Sequence, residues 1–147
     1  MKCLSISSAV FLLFISIHST SDAQWVQTNG PGGRQLNCLL VSGAKTYAGT
    51  VSGLFVSTNS GALWSGLNNG LTDTYVNTLV SNATFLFAGT QGGVFRSSDQ
   101  GATWTASNIG LLNLHIRALA FVGATLFAGT PDGVFRTTNN GTAWLKA

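Results

Sequence analysis

The side chains that could perform acid–base or nucleophilic chemistry are few in this 147-residue chain. Glutamate is absent, and the only acids are Asp22, Asp73, Asp99 and Asp132. Glycoside hydrolysis usually needs two carboxyl groups on either side of one sugar bond. Because Asp99 and Asp132 occupy turns of the repeat described below, a free pair of carboxyl groups is lacking. The sequence therefore predicts that the chain is not an enzyme and has no catalytic residue.

Sites for metals and cofactors are also missing from the sequence. His115 is the only histidine beyond residue 23, and no group of His, Cys and Asp residues has the spacing of metal ligands. No glycine-rich loop precedes a helix, which is the arrangement that binds phosphate groups. We therefore predict that the chain binds neither a metal nor a cofactor.

The composition is that of a folded but unusually neutral protein. Charged residues make up 7% of the chain, against about one quarter in an ordinary soluble domain, and hydrophobic residues make up 45%. Disordered chains are charged and poor in aromatic residues, so disorder is excluded. The pI near 9.2 arises from seven scattered Lys and Arg residues rather than from a basic patch. We therefore predict no binding of nucleic acid.

The N-terminal segment has the pattern of a secretory signal peptide. An apolar run over residues 9–17 is followed by the small residues Ser21 and Ala23, which suit the last positions before a cleavage site at Gln24. The run is about half the ~20 residues that a transmembrane helix needs. The sequence therefore predicts a signal peptide over 1–23 and a secreted or periplasmic mature chain that does not insert into a membrane.

One cysteine, Cys38, remains in the predicted mature chain of residues 24–147. A single cysteine cannot form an internal disulfide, so the fold does not depend on disulfide bonds. We interpret Cys38 as a small buried apolar residue, with an intermolecular bridge as the alternative.

An internal repeat with a period of 40 residues dominates the mature chain. Three tryptophans have this spacing: Trp64, Trp104 and Trp144. Segments 86–104 and 126–144 are identical at 11 of 19 positions, and a third copy covers residues 46–64. Repeats of this length are typical of architectures that stack one supersecondary unit many times. The predicted units are approximately residues 36–75, 76–115 and 116–147.

Each unit has the pattern of four short strands, and no segment shows a helical period. In the second unit the strands are expected around 76–80, 86–90 and 94–97, and the fourth is expected to begin at Trp104. In the third unit the first strand is expected over 116–120. Four strands at a period of about 40 residues are typical of a β-propeller blade. The sequence thus predicts an all-β fold, a partial β-propeller of about three four-stranded blades.

The segment that ends in each repeated tryptophan has the pattern S/T-x-D/N-x-G-x-x-W, and we call these three segments the Trp turns. Their shared positions are Ser57, Asn59, Gly61 and Trp64; Ser97, Asp99, Gly101 and Trp104; and Thr137, Asn139, Gly141 and Trp144. The Asp or Asn side chain is expected to accept backbone N–H bonds within the turn. The glycine permits a left-handed conformation, and the tryptophan is expected to pack on the hairpin and on the adjacent blade.

This pattern resembles the Asp-box, or BNR repeat, of the β-propellers of sialidases, sortilin-type receptors and photosystem II stability/assembly factors. The resemblance covers three copies in register, although Asn59 and Asn139 stand where the family has Asp. It implies that the boxes lie at the periphery of the propeller and shape each blade, away from any catalytic site. A sialidase would also need a Tyr nucleophile with a Glu partner, and glutamate is absent.

The resemblance indicates a secreted, non-enzymatic binding or scaffold module that contacts a protein through loops at one face of the ring. The first alternative is a carbohydrate-binding module, because aromatic residues and neutral Asn, Ser and Thr loops suit sugars. The second alternative is a non-catalytic fragment of a sialidase-like or photosystem II assembly factor-like propeller.

Three blades are fewer than the four to eight with which propellers typically close. Open blade faces would expose apolar surface and favour association. Three arrangements are compatible with this count: a homo-oligomer in which two copies form a six-bladed ring, a fragment of a longer propeller, and a short open array. The segment Trp25–Gln27 is expected to be a strand that could close the outer edge of another blade.

Overall fold

The fold is all-β and consists of three four-stranded antiparallel sheets that follow one another in chain order. The structure is a computed structural model that describes residues 30–32 and 34–147, and this part of the chain contains no helix. The predicted all-β partial propeller of three four-stranded blades is confirmed. The predicted signal peptide over 1–23 and the expected strand at Trp25–Gln27 lie outside the described residues.

Each sheet is a meander in which consecutive strands are hydrogen-bonded neighbours. The first sheet consists of β1 (Leu36–Ser42), β2 (Lys45–Thr50), β3 (Gly53–Ser57) and β4 (Ser65–Gly66). The second consists of β5 (Val76–Ser81), β6 (Leu86–Thr90), β7 (Gly93–Ser97) and β8 (Thr105–Ala106). The third consists of β9 (Ala118–Val122), β10 (Thr125–Thr130), β11 (Gly133–Thr137) and β12 (Leu145–Lys146). The first strands of neighbouring sheets contact each other, so the sheets form a continuous stack.

Contacts with a neighbouring unit displace the starts of some strands from the sequence-based prediction. The fourth strand of each sheet begins one residue after the tryptophan rather than at it. The reason in the second sheet is that the backbone N–H of Trp104 donates to the carbonyl of Asn69, in the connection after the first sheet. The first strand of the third sheet begins at Ala118 rather than at Ile116, because the N–H of Ile116 donates to Thr90 of the second sheet.

Two hydrophobic clusters fill the spaces between the sheets and use the same repeat positions. The cluster between the first and second sheets contains Tyr47, Leu54, Leu71, Val76, Leu79, Leu86, Ala88, Phe95 and Trp104. The cluster between the second and third sheets contains Phe87, Val94, Ile116, Leu119, Leu126, Ala128, Phe135 and Trp144. Because the second sheet is covered on both faces, β6 is buried along its whole length, whereas β10 is only partly buried. Two-sided burial explains why the strands are so poor in charge.

Glycine in the second strand of a sheet allows the first strand of the next sheet to approach closely. A Cβ atom on Gly89 would lie 2.6 Å from side-chain methyl carbons of both Thr78 and Ile116. A Cβ atom on Gly49 would lie 2.7 Å from a methyl carbon of Val76. The repeated Ala-Gly-Thr segment therefore forms a close contact between blades rather than a ligand-binding loop.

We expect Gly89→Ala to lower the free energy of unfolding by about 1–3 kcal/mol, because the added methyl group overpacks the contact between two sheets. The matched control is Gly66→Ala in the exposed strand β4. There the new Cβ atom would meet nothing closer than 3.4 Å, and the equivalent residue of the second sheet is already Ala106. Urea denaturation followed by tryptophan fluorescence measures both variants. Wild-type stability of Gly89→Ala would contradict the close approach.

Candidate functional site

Each Trp turn is closed by a hydroxyl group and an Asp or Asn side chain that bind the same short loop. In the second turn the Ser97 hydroxyl accepts the N–H of Gly101 at 2.8 Å and donates to Oδ1 of Asp99 at 2.7 Å. Oδ1 of Asp99 also accepts the N–H of Thr103 at 2.9 Å, and the Thr103 hydroxyl donates to Oδ2 at 2.6 Å. Gln100 and Gly101 have φ angles of 60° and 92°, so two successive residues of the turn are left-handed.

The first and third turns keep this geometry with asparagine in place of aspartate. Oδ1 of Asn59 accepts the N–H of Leu63 at 2.9 Å. Oδ1 of Asn139 accepts the N–H of Ala143 at 3.1 Å. The opening hydroxyl again accepts the glycine N–H in both turns: Ser57 from Gly61, and Thr137 from Gly141. An amide oxygen thus replaces the carboxylate oxygen as the acceptor, and the turn is unchanged.

The tryptophan that ends a Trp turn connects neighbouring sheets. Nε1 of Trp104 donates to the carbonyl of Leu67 in the preceding unit at 3.0 Å. Nε1 of Trp144 donates to the carbonyl of Ser107 at 2.7 Å, and both rings are almost fully buried. Trp64 is half-buried, and its Nε1 donates within its own turn at 3.0 Å. All of these contacts are made within the chain.

Asp99 is the only carboxylate in the three Trp turns, and its hydrogen bonds stabilise the ionised form. The hydroxyl and N–H groups of Thr103, together with the hydroxyl of Ser97, lower the pKa of Asp99 to about 2. A carboxyl group with a lowered pKa favours folding above its unfolded pKa of about 3.9, and this contribution is lost as the pH falls towards the folded pKa. At neutral pH the carboxylate is a fixed hydrogen-bond acceptor.

The pKa of Asp99 predicts an acid-dependent difference between the wild type and Asp99→Asn. The asparagine keeps the acceptor oxygen, as in the other two turns, but removes the titrating group. We expect the stability advantage of the wild type over the variant to decrease as the pH falls from about 5 to about 2. Urea midpoints of both proteins across this range measure the difference. A difference that is independent of pH would contradict the assignment of these hydrogen bonds to the ionised carboxylate.

The carboxylates of Asp73 and Asp132 support loops in the described part of the chain. Oδ1 of Asp73 accepts the N–H of Tyr75 at 2.9 Å, and Oδ2 of Asp132 accepts an N–H of the Asn113 amide at 3.1 Å. Within residues 30–32 and 34–147, no three His, Cys, Asp or Glu side chains are grouped as metal ligands. No membrane-spanning helix is found among the same residues.

Cys38 lies in the contact between the first two sheets. Its side chain is half-buried and packs against the first hydrophobic cluster. Burial raises the pKa of the Cys38 thiol to about 11, so the thiol is protonated and unreactive at neutral pH.

An exposed apolar segment lies between β8 and β9. Ile109, Leu112 and Leu114 expose 73%, 76% and 42% of their surfaces, and we call these three residues the apolar connection. The equivalent residues between β4 and β5 are polar: Asn69, Thr72 and Thr74. Sequence reasoning missed this segment, although a comparison of the two units position by position would have found it.

The backbone under the apolar connection is held in the same way as in its polar counterpart. The N–H of Leu111 donates to the carbonyl of Asn108 at 3.0 Å, and Oδ1 of Asn108 accepts the N–H of Val94 at 2.8 Å. A Cβ atom on Gly110 would collide with the carbonyl oxygen of Trp144, so the chain passes close to the third Trp turn. The two connections therefore share an anchored backbone and differ in the side chains that they expose.

An open groove of about 330 Å³ lies between the first and second sheets. The turns after β1 and β5 form its sides, with Asn82 in the second of these turns, and the second Trp turn closes one end. Nζ of Lys45 donates to Oε1 of Gln100 at 2.6 Å, and the Tyr47 hydroxyl donates to the carbonyl of Gln100 at 3.2 Å. We call this site the polar groove.

The chain is similar in fold to solved β-propeller proteins. No protein-family model and no curated protein matches it. An ancestral GH74 enzyme aligns over 78% of this chain, with a TM-score of 0.66 and 20% identity. The extracellular domain of a protein described as a hybrid two-component system from B. thetaiotaomicron aligns over 76%, with a TM-score of 0.64 and 22% identity. The computationally designed Ika4 protein aligns over 85%, with a TM-score of 0.61 and 17% identity.

The chain spans only a small part of the natural proteins that it resembles. It covers 18% of the GH74 enzyme and 16% of the B. thetaiotaomicron protein, against 78% of the designed Ika4 protein. At these identities the similarity establishes the fold alone.

Proposed function

We propose that the chain is a secreted, non-enzymatic binding module that contacts another protein through the apolar connection. The observation that carries this proposal is the exposure of Ile109, Leu112 and Leu114 where the neighbouring unit has Asn and Thr. These three aliphatic side chains lie within six residues of one loop. Apolar patches on the surface of folded proteins mark interaction sites, and three exposed aliphatic residues in one loop favour such a site. The expected partner presents an apolar patch with a polar rim.

The anchored backbone supports this function because a binding loop that is already ordered loses little entropy when it binds. The hydrogen bonds of Leu111 and Asn108 fix the start of the apolar connection. Asn113 fixes its end, since the side-chain amide donates to Asp132 and accepts the N–H of His115 at 2.9 Å. The exposed leucines Leu112 and Leu114 flank this anchor.

The Trp turns have a structural role in this proposal. Their side chains bind their own turns or the preceding sheet, and two of the three turns function with asparagine in place of aspartate. The resemblance to Asp-box repeats supports this assignment, because the boxes of that family shape blades at the periphery of the propeller.

Export and the absence of catalysis complete the proposal. The pattern of a signal peptide over 1–23 supports secretion, and one similar structure is an extracellular domain. Two observations argue against catalysis. Glutamate is absent, and the carboxylate of Asp99 is used to accept hydrogen bonds from Ser97 and Thr103 within its own turn. Asp73 and Asp132 accept hydrogen bonds from loop groups, and hydrolysis requires a pair of carboxyl groups directed at one bond.

We expect the triple variant Ile109→Asn, Leu112→Thr, Leu114→Thr to fold like the wild type, since each new residue occupies the equivalent place between β4 and β5. Its affinity for the protein partner should fall roughly tenfold or more, because loss of buried apolar anchors costs about 2 kcal/mol or more. Wild type and variant serve as paired baits in the extracellular fraction of source cells. Each protein that the wild type retains is then purified and titrated against both the wild type and the variant by calorimetry.

The control for this experiment changes the polar counterpart of the apolar connection. Thr72→Ala with Thr74→Ala should leave the affinity unchanged, because the proposal gives these residues no contact with the partner. Circular dichroism and urea midpoints verify that all variants fold. Equal affinity of the triple variant and the wild type for every retained protein would refute the docking site.

A carbohydrate-binding module is the second candidate, and the polar groove is the observation that favours it. Lys45 and Gln100 place an ammonium and an amide group beside an open site, and such groups form the hydrogen bonds that orient a sugar. The similarity to a GH74 enzyme adds an argument at the level of the fold only.

The polar groove makes a separate prediction on a glycan array. If it binds an oligosaccharide, Lys45→Ala should weaken that binding by removing the group that spans the groove to Gln100. The triple variant of the apolar connection serves as the control and should bind the same glycan normally. A silent array, or a glycan bound equally well by Lys45→Ala, would contradict the carbohydrate candidate.

A further inference from the structure

The two outer sheets of the stack each present a face that no other described sheet covers. We call the free face of the first sheet the leading face; it carries Leu39, Phe55 and Trp64. We call the free face of the third sheet the trailing face; it carries Phe127, Val134 and Arg136. On both faces these residues occupy repeat positions that lie between sheets elsewhere in the stack.

The leading face exposes residues whose equivalents are buried. Leu39 exposes 58% of its surface, whereas Leu79 and Leu119 at the same repeat position expose 7% and 6%. Trp64 is half-buried, whereas Trp104 exposes 4%. Leu39 pairs with Ala48 in the same register as Leu79 with Ala88, so the missing neighbour accounts for the difference.

The trailing face shows the same contrast at its own positions. Val134 exposes 47% of its surface, whereas Val94 at the same position is completely buried. Val94 belongs to the same hydrophobic cluster as Leu119. The residue of the leading face that is equivalent to Leu119 is Leu39. By this equivalence, Val134 of a trailing face would pack against Leu39 of a leading face, as Val94 packs in the cluster that contains Leu119.

An arginine on the trailing face and a backbone carbonyl on the leading face occupy the positions of an internal hydrogen bond between sheets. Nη1 of Arg96 donates to the carbonyl of Asn140 in the third Trp turn at 2.8 Å. Arg136 occupies the position of Arg96 and is exposed, while Ser60 occupies the position of Asn140. The φ angles of Ser60 and Asn140 are 57° and 52°, so the two turns have the same backbone. Arg136 of a trailing face would thus donate to the backbone carbonyl of Ser60 of a leading face, as Arg96 does to Asn140.

Arg34 lies over the leading face, and its position is compatible with this contact. The guanidinium of Arg34 lies 5.5 Å from the ring centroid of Phe55 and binds Ser52, beside the turn between β2 and β3. Ser60 lies beyond the other end of β3, a strand of five residues. Arg34 of the leading face and Arg136 of the trailing face that covers it would therefore be separated by roughly 15 Å along the strand and would not meet.

We propose that two copies of the chain associate head to tail, with the trailing face of each covering the leading face of the other, to form a closed six-bladed ring. The count favours two copies, because propellers close with four to eight blades and three copies of three sheets would give nine. We choose a second copy of the chain as the occupant because its faces carry residues at the repeat positions that already form the contacts between the first and second sheets and between the second and third sheets. A repeated head-to-tail contact of this kind closes into a ring when its rotation permits.

The test is light scattering coupled to size-exclusion chromatography of the purified protein, with no other protein present. We expect twice the mass of one chain for the wild type and the mass of one chain for Leu39→Asp and for Val134→Asp. The control is Leu63→Asp, which should remain a dimer. Leu63 is 70% exposed, and its equivalent Thr103 stays exposed even between two sheets.

A mixing experiment separates the head-to-tail ring from a symmetric dimer. When Leu39→Asp and Val134→Asp chains are mixed, one junction of the ring contains only wild-type residues. The mixture should therefore recover heterodimers that neither variant forms alone. A dimer that joins two identical faces would not be recovered in this way, so failure to recover overturns the proposal.

Three other results would also overturn the proposal. The first is a wild type with the mass of one chain, which is expected if residues before Gly30 cover the leading face. The second is an open-ended series of masses, and the third is a dimer that persists in both Leu39→Asp and Val134→Asp. Circular dichroism verifies that the variants fold, which is expected because Leu39 and Val134 are exposed in the single chain. The outcome is independent of the apolar connection, since no partner protein is present.

Discussion

The close contact between the second strand of one sheet and the first strand of the next is the constraint on which the structure depends. Gly49 and Gly89 leave room for Val76 and Ile116, so the first and second sheets each receive a side chain from the next sheet at that place. Stability in such a stack is a sum of units and of contacts between neighbours. The 40-residue period, the scarcity of charge and the burial of β6 on both faces all follow from this contact.

The Trp turn joins local and tertiary structure in one segment of eight residues. A hydroxyl and an Asp or Asn oxygen close the loop, which places the tryptophan ring where its Nε1 reaches the preceding unit, as from Trp104 to Leu67. The loop needs an acceptor oxygen and not a charge, so asparagine replaces aspartate at Asn59 and Asn139. Aspartate adds one property that asparagine lacks, which is stabilisation that depends on pH.

Most of the fold could be predicted from the sequence because every element recurs once per period with its own turn residues. The strand boundaries at Trp104 and Ile116 could not be predicted, because their N–H groups bind residues of the preceding unit, Asn69 and Thr90, and the local sequence does not specify these partners. The polar groove is invisible in the sequence for a related reason, since Lys45 and Gln100 belong to different sheets. The apolar connection is visible, but only when the two units are compared residue by residue.

The exposed apolar residues of this chain have two physical origins. Leu39 and Val134 occupy positions that are buried in other sheets, and they are exposed because no other described sheet covers them. Leu112 and Leu114 occupy positions that are exposed in both connections, and they are apolar because the sequence departs from Thr at these places. More of the same fold can cover the first kind, whereas the second kind needs a surface of a different shape. The proposed self-association and the proposed partner binding would therefore use separate surfaces, and a ring of two copies would offer a partner two identical sites and the avidity that two sites provide.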